Sequence, residues 1–377
     1  MSVALPIIPN RRGACPTLHE PMPTGDGLLA RLRLAGGRLS PSQLAGLATL
    51  AANHGNGLLE ITLRGNLQVR GLRPDSAGPF ALAAETLVAT QSGLVVETPP
   101  LAGDDPREIA DPRALAAAIH DDCGFMADRL GPKFTIVVDG QGQITLDELK
   151  ADIRVTAMSN GHWQVDAGQQ QSRTVPAHAV VAAVQDYLGR QALSSPGPRR
   201  TIGTRRPVSP LGTFALKSTR ASGVALPFGG SDHTTLIALA DAAATHGVTD
   251  LRLAPYHGLL AIGPGAAFTA AAAQLGLITD PADPRIRVSA CIGSMGCASG
   301  YIPARADAAR LAKHLPFGTD LHVSGCAKGC AHPRPAGLTL VGRGDGYGLV
   351  IDGTAGDTPQ AVLRGDEIES VLAARQG

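Results

Sequence analysis

Ala51-Ala-Asn-His-Gly55 returns as Ala243-Ala-Thr-His-Gly247, 192 residues further on, and that echo sets the architecture. Sliding the chain past itself by the same 192 residues also places Leu44 on Leu236, Leu47 on Leu239, Ile61 on Leu253, Leu67 on Leu259 and Gly71 on Gly263, without a gap. Self-similarity at a fixed offset marks a duplicated unit. In each copy leucines at helical spacing lead into the Ala-Ala-x-His-Gly segment, and apolar alternation follows it. Ser40, Pro41 and Gln43 supply an N-cap, a first-turn proline and a capping-box partner. Gly55 and Gly247 stand where a left-handed residue would end the helix. Each copy therefore predicts strand, helix, strand, strand: 27–34, 41–54, 58–63 and 67–72, then 222–227, 232–246, 249–254 and 258–262. Half-sheets of this size are marginal alone, so the two are expected to pair about a pseudo-twofold axis.

A second repeat, at an offset of 185, sets Val138-Asp-Gly140 on Val323-Ser-Gly325, Ile153-Arg-Val-Thr-Ala157 on Leu338-Thr-Leu-Val-Gly342, and Val165 on Val350. The predicted class is α+β, and the chain divides into a first half-domain at 1–77, a first α/β unit at 78–195, a linker at 196–210, a second half-domain at 211–265 and a second α/β unit at 266–377. The stretch from Ser194 to Pro210 is proline-rich and lacks apolar periodicity, which suits the linker.

The 377 residues are 44% apolar but only 3% aromatic, so a large core is expected, filled by Ala, Leu, Val and Ile. A net charge of +1 gives no general attraction to nucleic acid or to an anionic membrane. No run of eighteen apolar residues occurs, and the N-terminal segment lacks the pattern of a signal peptide, so a soluble, cytoplasmic protein is expected. Six cysteines in a chain this long do not make a disulfide scaffold; they point to metal or redox chemistry.

Four of the six stand in Cys291-Ile-Gly-Ser-Met-Gly-Cys297 and Cys326-Ala-Lys-Gly-Cys330. Soft thiolates without histidine partners suit an iron–sulfur cluster or zinc. Structural zinc sites take thiolates two to four residues apart, whereas the first gap here is five and rich in glycine, which favours the cluster. At the 185-residue offset Cys326 and Cys330 fall on Gln141 and Thr145, so one cluster is expected, in the second α/β unit.

The duplication, the paired cysteine spacings and Leu63-Arg-Gly-Asn-Leu-Gln68 together resemble the sulfite and nitrite reductase superfamily over nearly the whole chain. Within it, Arg12-Gly-Ala-Cys-Pro16, Pro21-Met-Pro-Thr-Gly-Asp-Gly-Leu-Leu29, Pro227-Phe-Gly229, Asp283-Pro-Arg285 and His322-Val-Ser-Gly-Cys-Ala-Lys-Gly-Cys-Ala-His-Pro333 are most similar to the precorrin-3B synthase family. The resemblance implies two ferredoxin-like half-domains plus two α/β units, and a 4Fe-4S cluster on Cys291, Cys297, Cys326 and Cys330. It implies oxygen-dependent hydroxylation of precorrin-3A at C20 with closure of a γ-lactone, in aerobic cobalamin biosynthesis. Dioxygen is the co-substrate, an additional non-haem iron is expected, and electrons from NADH arrive through a separate reductase or ferredoxin. Arg64 and Lys133 match family cations, while Thr135 and Gly93-Leu-Val-Val-Glu97 depart from the reductase pattern, which carries a lysine and an arginine there. Losing two cations from the anion site argues against sulfite or nitrite reduction. The alternatives are a sirohaem-dependent sulfite or nitrite reductase, and an iron–sulfur electron-transfer protein.

A polycarboxylate substrate calls for cations, because a charge-assisted hydrogen bond contributes about 1.5–3 kcal/mol. Arg12, Arg64, Lys133 and Lys328 are the candidates, with Arg11 and Arg31 as further arginines. Lys328 lies between two cage cysteines, where its charge would act on substrate or cluster. The basic run Arg199, Arg200, Arg205 and Arg206 reads as a charged linker or a clamp over the pocket. For a second iron the candidates are His332 beside the cage, His19 with Glu20, and His257. Cys123 reads as a small buried hydrophobe, and Cys15 sits in a family segment where it would touch substrate. Gly342-Arg-Gly-Asp-Gly-Tyr-Gly348 reads as a hairpin turn, so no nicotinamide site is expected.

Overall fold

The computed structural model describes residues 15–130, 133–168, 171–191, 209–263 and 265–374. Arg11, Arg12 and the basic run at 199–206 lie outside the described residues. Four five-stranded sheets carry the fold. The first is antiparallel, in the order Met22–Thr24, Gly27–Leu32, Leu67–Leu72, Leu58–Ile61 and Gly230–Asp232. The second repeats that order with Gly212–Ala215, Arg220–Ala225, Gly258–Ile262, Asp250–Ala254 and Arg38–Leu39.

Their registers coincide at the offset of 192. Arg31 pairs with Gln68 and Gln68 with Glu60 in the first sheet; Gly223 pairs with Leu260 and Leu260 with Arg252 in the second. The fifth strands are exchanged. Gly230–Asp232, from the second copy, completes the first sheet, and Arg38–Leu39, from the first, completes the second. Helices Pro41–His54 and His233–Thr245 pack on each other between the sheets. The shared core includes Leu32, Leu47, Leu59, Leu239, Leu251 and Leu259, each contributing about 1.5–3 kcal/mol when fully buried.

The first helix starts as its sequence predicts: the Gln43 amide N–H donates to Ser40 Oγ at 3.2 Å, and the Ser40 N–H donates back to Gln43 Oε1 at 2.7 Å. Its end differs. Gly247 has the left-handed φ of +72°, but Gly55 sits at φ −126°. Glycine is required at 55 for proximity instead, since a Cβ would stand 2.4 Å from the Arg70 carbonyl oxygen.

The other two sheets share a mixed pattern. Val95–Glu97, Thr135–Asp139 and Ile153–Ala157 run parallel, and His162–Ala167 and Gln171–Pro176 add antiparallel strands. Val288–Ala290, Leu321–Ser324 and Ala336–Arg343 run parallel, and Gly346–Gly353 and Ala361–Leu363 add antiparallel strands. Here the offset of 185 holds in register: Val137 pairs with Arg154, and His322 with Thr339. Cys123 is fully buried in the core of the first of these sheets, and burial pushes its thiol up to about 11. The glycine-rich segment at 342–348 is the turn between the Ala336–Arg343 and Gly346–Gly353 strands. No helix among the described residues is long and apolar enough to cross a membrane.

Candidate active site

Strand alternation gives the first sheet one apolar and one charged face. Ala30, Leu32, Leu59, Ile61, Leu67 and Val69 join the helix-covered core, so Arg31, Glu60, Gln68 and Arg70 point the other way. The second sheet has no such face. Its equivalents of Arg31, Gln68 and Arg70 are Gly223, Leu260 and Ile262, and Leu101 and Ile144 pack over them with Phe214 and Leu216. Arg252, the equivalent of Glu60, is buried there between Asp250 and Asp104, at 2.9 and 2.6 Å. Among the described residues, the duplication thus leaves one charged sheet face uncovered by apolar packing.

Arg31 and Arg33 dominate one end of that face. With the Gln68 amide oxygen turned toward Arg31, it accepts from Nη2 at 2.7 Å and from Nε at 3.0 Å, while the amide nitrogen donates to Glu60 at 3.3 Å. The Cys15 sulfur shares the Arg31 guanidinium. Arg33 Nε is buried and has no hydrogen-bond partner among the described residues. Burial lowers both arginine pKa values, and among the described residues neither guanidinium stands within ion-pair distance of a carboxylate. Both line a cavity of about 480 Å³ with Cys15, His19, Gln91 and Phe134, a volume in the range of small-molecule sites. A smaller cavity of about 90 Å³ adjoins it through Arg33 and Gln91 and reaches Arg64, Glu97 and Leu253.

Arg64 sits on the turn between strands Leu58–Ile61 and Leu67–Leu72, where Gly65 backs onto Ala254. Its guanidinium is already engaged. Nε donates to Glu97 Oε1 at 3.0 Å, Nη2 donates to Glu97 Oε2, and Nη1 donates to the Lys150 carbonyl at 2.9 Å. Lys133 is exposed and lines neither cavity.

The cysteines come from the ends of two adjacent parallel strands. Ala290 pairs with Val323, so Cys291 and the Cys326–Cys330 loop leave the sheet side by side, and a 3-10 turn at Gly293–Met295 brings Cys297 back. The Gly325 N–H donates to Cys291 Sγ at 3.1 Å. Burial raises the Cys330 pKa, and the nearby Cys291, Cys326 and Cys297 raise it further. Among the described residues no three His, Cys, Asp or Glu side chains are grouped so as to hold a metal ion. A single zinc holds its sulfurs at about 2.3 Å, so a one-metal grip demands a tighter grouping than a multi-iron body does. The chemistry of the donor set fits such a body: four thiols on two neighbouring loops, with Cys291, Cys297 and Cys326 near enough to act on Cys330, and one already accepting a backbone N–H.

The cage is tied to the charged face. Gly25 lies directly on Cys297, where a Cβ would stand 2.2 Å from Sγ, and its carbonyl accepts from the Ala298 N–H at 2.9 Å. Beside it, Asp26 accepts from Arg70 Nε and Nη2, both at 2.8 Å, and Arg70 Nη1 reaches Glu60 at 3.2 Å. Arg305, on the helix Ala304–Ala312 that follows the first cage loop, donates to the other Glu60 oxygen. Burial pushes the Asp26 carboxyl up, but the Arg70 hydrogen bonds and charge outweigh it and hold its pKa below the ordinary value.

Around the cage, exposed Lys328 donates from Nζ to Ser299 Oγ at 3.0 Å. His332 packs against His322, with ring centroids 5.7 Å apart. His322 is fully buried, neither ring nitrogen has a hydrogen-bond partner among the described residues, and burial with His332 beside it holds its pKa down at about 4. The other histidines lie elsewhere: exposed His19 pairs with Glu85 at 2.7 Å, and His257 Nδ1 meets the Ile61 carbonyl at 2.5 Å. Sequence reasoning missed Arg33, Glu97, Gln68 and His322. Arg31-Leu-Arg33 alternation was the available signal for the first; Glu97 gains its meaning from Arg64, distant in sequence, and His322 from a burial that its letters do not show.

The nitrite/sulfite reductase ferredoxin-like half domain matches residues 20–84. The Mycobacterium tuberculosis NirA structure superposes with a TM-score of 0.64 at 19% identity, covering 92% of this chain and 79% of that one, which is a likeness of fold. A ferredoxin–nitrite reductase from Synechococcus elongatus is 34% identical over 30% of this chain and 24% of its own. The matched half domain and the shared fold are thus of the nitrite and sulfite reductase type. A precorrin-3B synthase from a Sinorhizobium species is 37% identical over 96% of this chain and 88% of its own length, and the chain belongs to that family.

Proposed function

We propose that this chain is an oxygen-dependent precorrin-3B synthase, acting as an iron–sulfur monooxygenase. The observation that carries the reading is the charged sheet face, with the guanidiniums of Arg31 and Arg33, which have no carboxylate partner among the described residues, at one end and the loops of the four cysteines at the other. Family membership points the same way. Precorrin-3A would enter as a polycarboxylate: one oxygen atom of dioxygen goes to C20, the other leaves as water, and two electrons and two protons come from a separate donor. The ring A acetate then closes the γ-lactone.

Each residue on the face has a task. Arg31 and Arg33 bind substrate carboxylates, gaining charge-assisted hydrogen bonds in a desolvated pocket. Gln68 fixes the Arg31 fork from below while satisfying Glu60. Glu97 orients Arg64 and cancels its charge, which leaves Arg33 as the uncompensated cation of the smaller cavity. The Asp26–Arg70–Glu60–Arg305 ladder locks the cage to the sheet. Cys291, Cys297, Cys326 and Cys330 would hold a 4Fe-4S cluster, which supplies electrons one at a time. An additional non-haem iron belongs to the same reading, as does the division into two half-domains and two α/β units.

Incubation with precorrin-3A under 18O-labelled dioxygen tests the reading. One labelled oxygen atom in the product is expected, and a product without label overturns it. Sirohaem-type absorption bands in the anaerobically purified protein would instead favour a reductase.

A further inference from the structure

Strand Leu321–Ser324 places Leu321 and Val323 in the apolar core with Leu311 and Leu340, so His322 faces the opposite side of the sheet. Over that side runs the second cage loop. A Cβ on Gly329, the residue before Cys330, would stand 3.8 Å from His322 Cε1. The imidazole is fully buried, and among the described residues Nδ1 and Nε2 both lack hydrogen-bond partners. A neutral imidazole has one N–H and one lone pair, and leaving a buried polar group unsatisfied costs about 1–3 kcal/mol.

The sister sheet shows that the fold does not need a polar group there. Its register-equivalent residue is Val137, packed against Leu146, Leu149 and Ala151. That sheet has Gln141 and Thr145 in place of Cys326 and Cys330. An apolar side chain fills the position where thiols are absent, and an unsatisfied imidazole fills it where they are present.

We propose that His322 donates its ring N–H to the iron–sulfur cluster on the side of the Cys326–Cys330 loop, and thereby raises the cluster's reduction potential. The proposal rests on the cage reading above. Adding an electron makes the cluster more negative, so an N–H aimed at it stabilises the reduced form more than the oxidised one. His322 is thus a positioning and tuning residue, without contact to substrate.

The test uses the intact, anaerobically purified protein. His322→Val copies the sister sheet, and His322→Gln keeps an N–H donor. Iron and sulfide content equal to wild type is expected in both. At a fixed applied potential, EPR-monitored titration should show the reduced-to-oxidised ratio about tenfold lower in His322→Val, a shift of about 59 mV for one electron. His322→Gln should stay within about threefold of wild type. In wild-type protein with 15N-labelled histidine, pulsed EPR of the reduced cluster should show coupling to a histidine nitrogen. An unshifted potential in a fully loaded His322→Val, or a wild-type spectrum without that coupling, overturns the proposal while leaving the cage intact. If His322→Val does not fold, the wild-type spectrum decides. Wild-type protein without iron and sulfide overturns the cage and this proposal with it.

Discussion

Glu97 takes the Arg64 guanidinium with both carboxylate oxygens, in a recess whose neighbouring arginines, Arg31 and Arg33, have no carboxylate partner among the described residues. The three arginines therefore differ in what they can do. Arg31→Ala and Arg33→Ala are each expected to weaken tetrapyrrole binding by about 10- to 100-fold, the equivalent of 1.5–3 kcal/mol for a charge-assisted hydrogen bond. Anaerobic titration with precorrin-3A measures this.

Arg64→Ala should act mainly on the fold. It leaves the mostly buried Glu97 unpaired, at a cost of about 1–3 kcal/mol, so thermal unfolding shifts more than substrate affinity does. An affinity loss equal to that of Arg31→Ala would place Arg64 among the substrate ligands after all.

Cys326→Ser is expected to lose the cluster, read as iron and sulfide per chain. Gly25→Ala should do so indirectly, because its methyl group would meet Cys297 Sγ at 2.2 Å and push the first cage loop away. Gly124→Ala is the control. It has a helical φ of −56° and open space around it, so a change within about 0.5 kcal/mol is expected.

Acid should loosen the joint between cage and sheet. Asp26 has a pKa below its ordinary 3.8 in the fold, so the stability it contributes is complete above that value and is lost as pH falls through the folded pKa. Asp26→Asn is expected to cost about 3–5 kcal/mol at neutral pH by leaving Arg70 underpaired, and to flatten the stability profile below about pH 4. Urea unfolding at several pH values checks both expectations.

Much of this molecule is legible in its letters. The helices Pro41–His54 and His233–Thr245 and the long strands follow from apolar periodicity, and the Ser40 cap from a local motif. The strands Met22–Thr24, Arg38–Leu39 and Gly230–Asp232 span only two or three residues, too few for alternation to show, so the exchange of fifth strands is invisible in sequence. Gly55 misled because one residue type serves both a left-handed turn and a close approach. The cysteine spacing marks out four candidate ligands in the letters alone, whereas the Glu97 partner of Arg64, thirty-three residues away, shows only in the fold.

The reciprocal loan of Arg38–Leu39 and Gly230–Asp232 has a practical corollary. Cutting the polypeptide between residues 195 and 208 would yield two pieces, each missing the outermost ribbon of its own sheet and left with bare amide and carbonyl groups along that margin. Neither piece should persist alone, yet co-produced they carry complementary margins and should reassemble, so the duplicated ancestor implied by such a plan is a self-associating half-length chain.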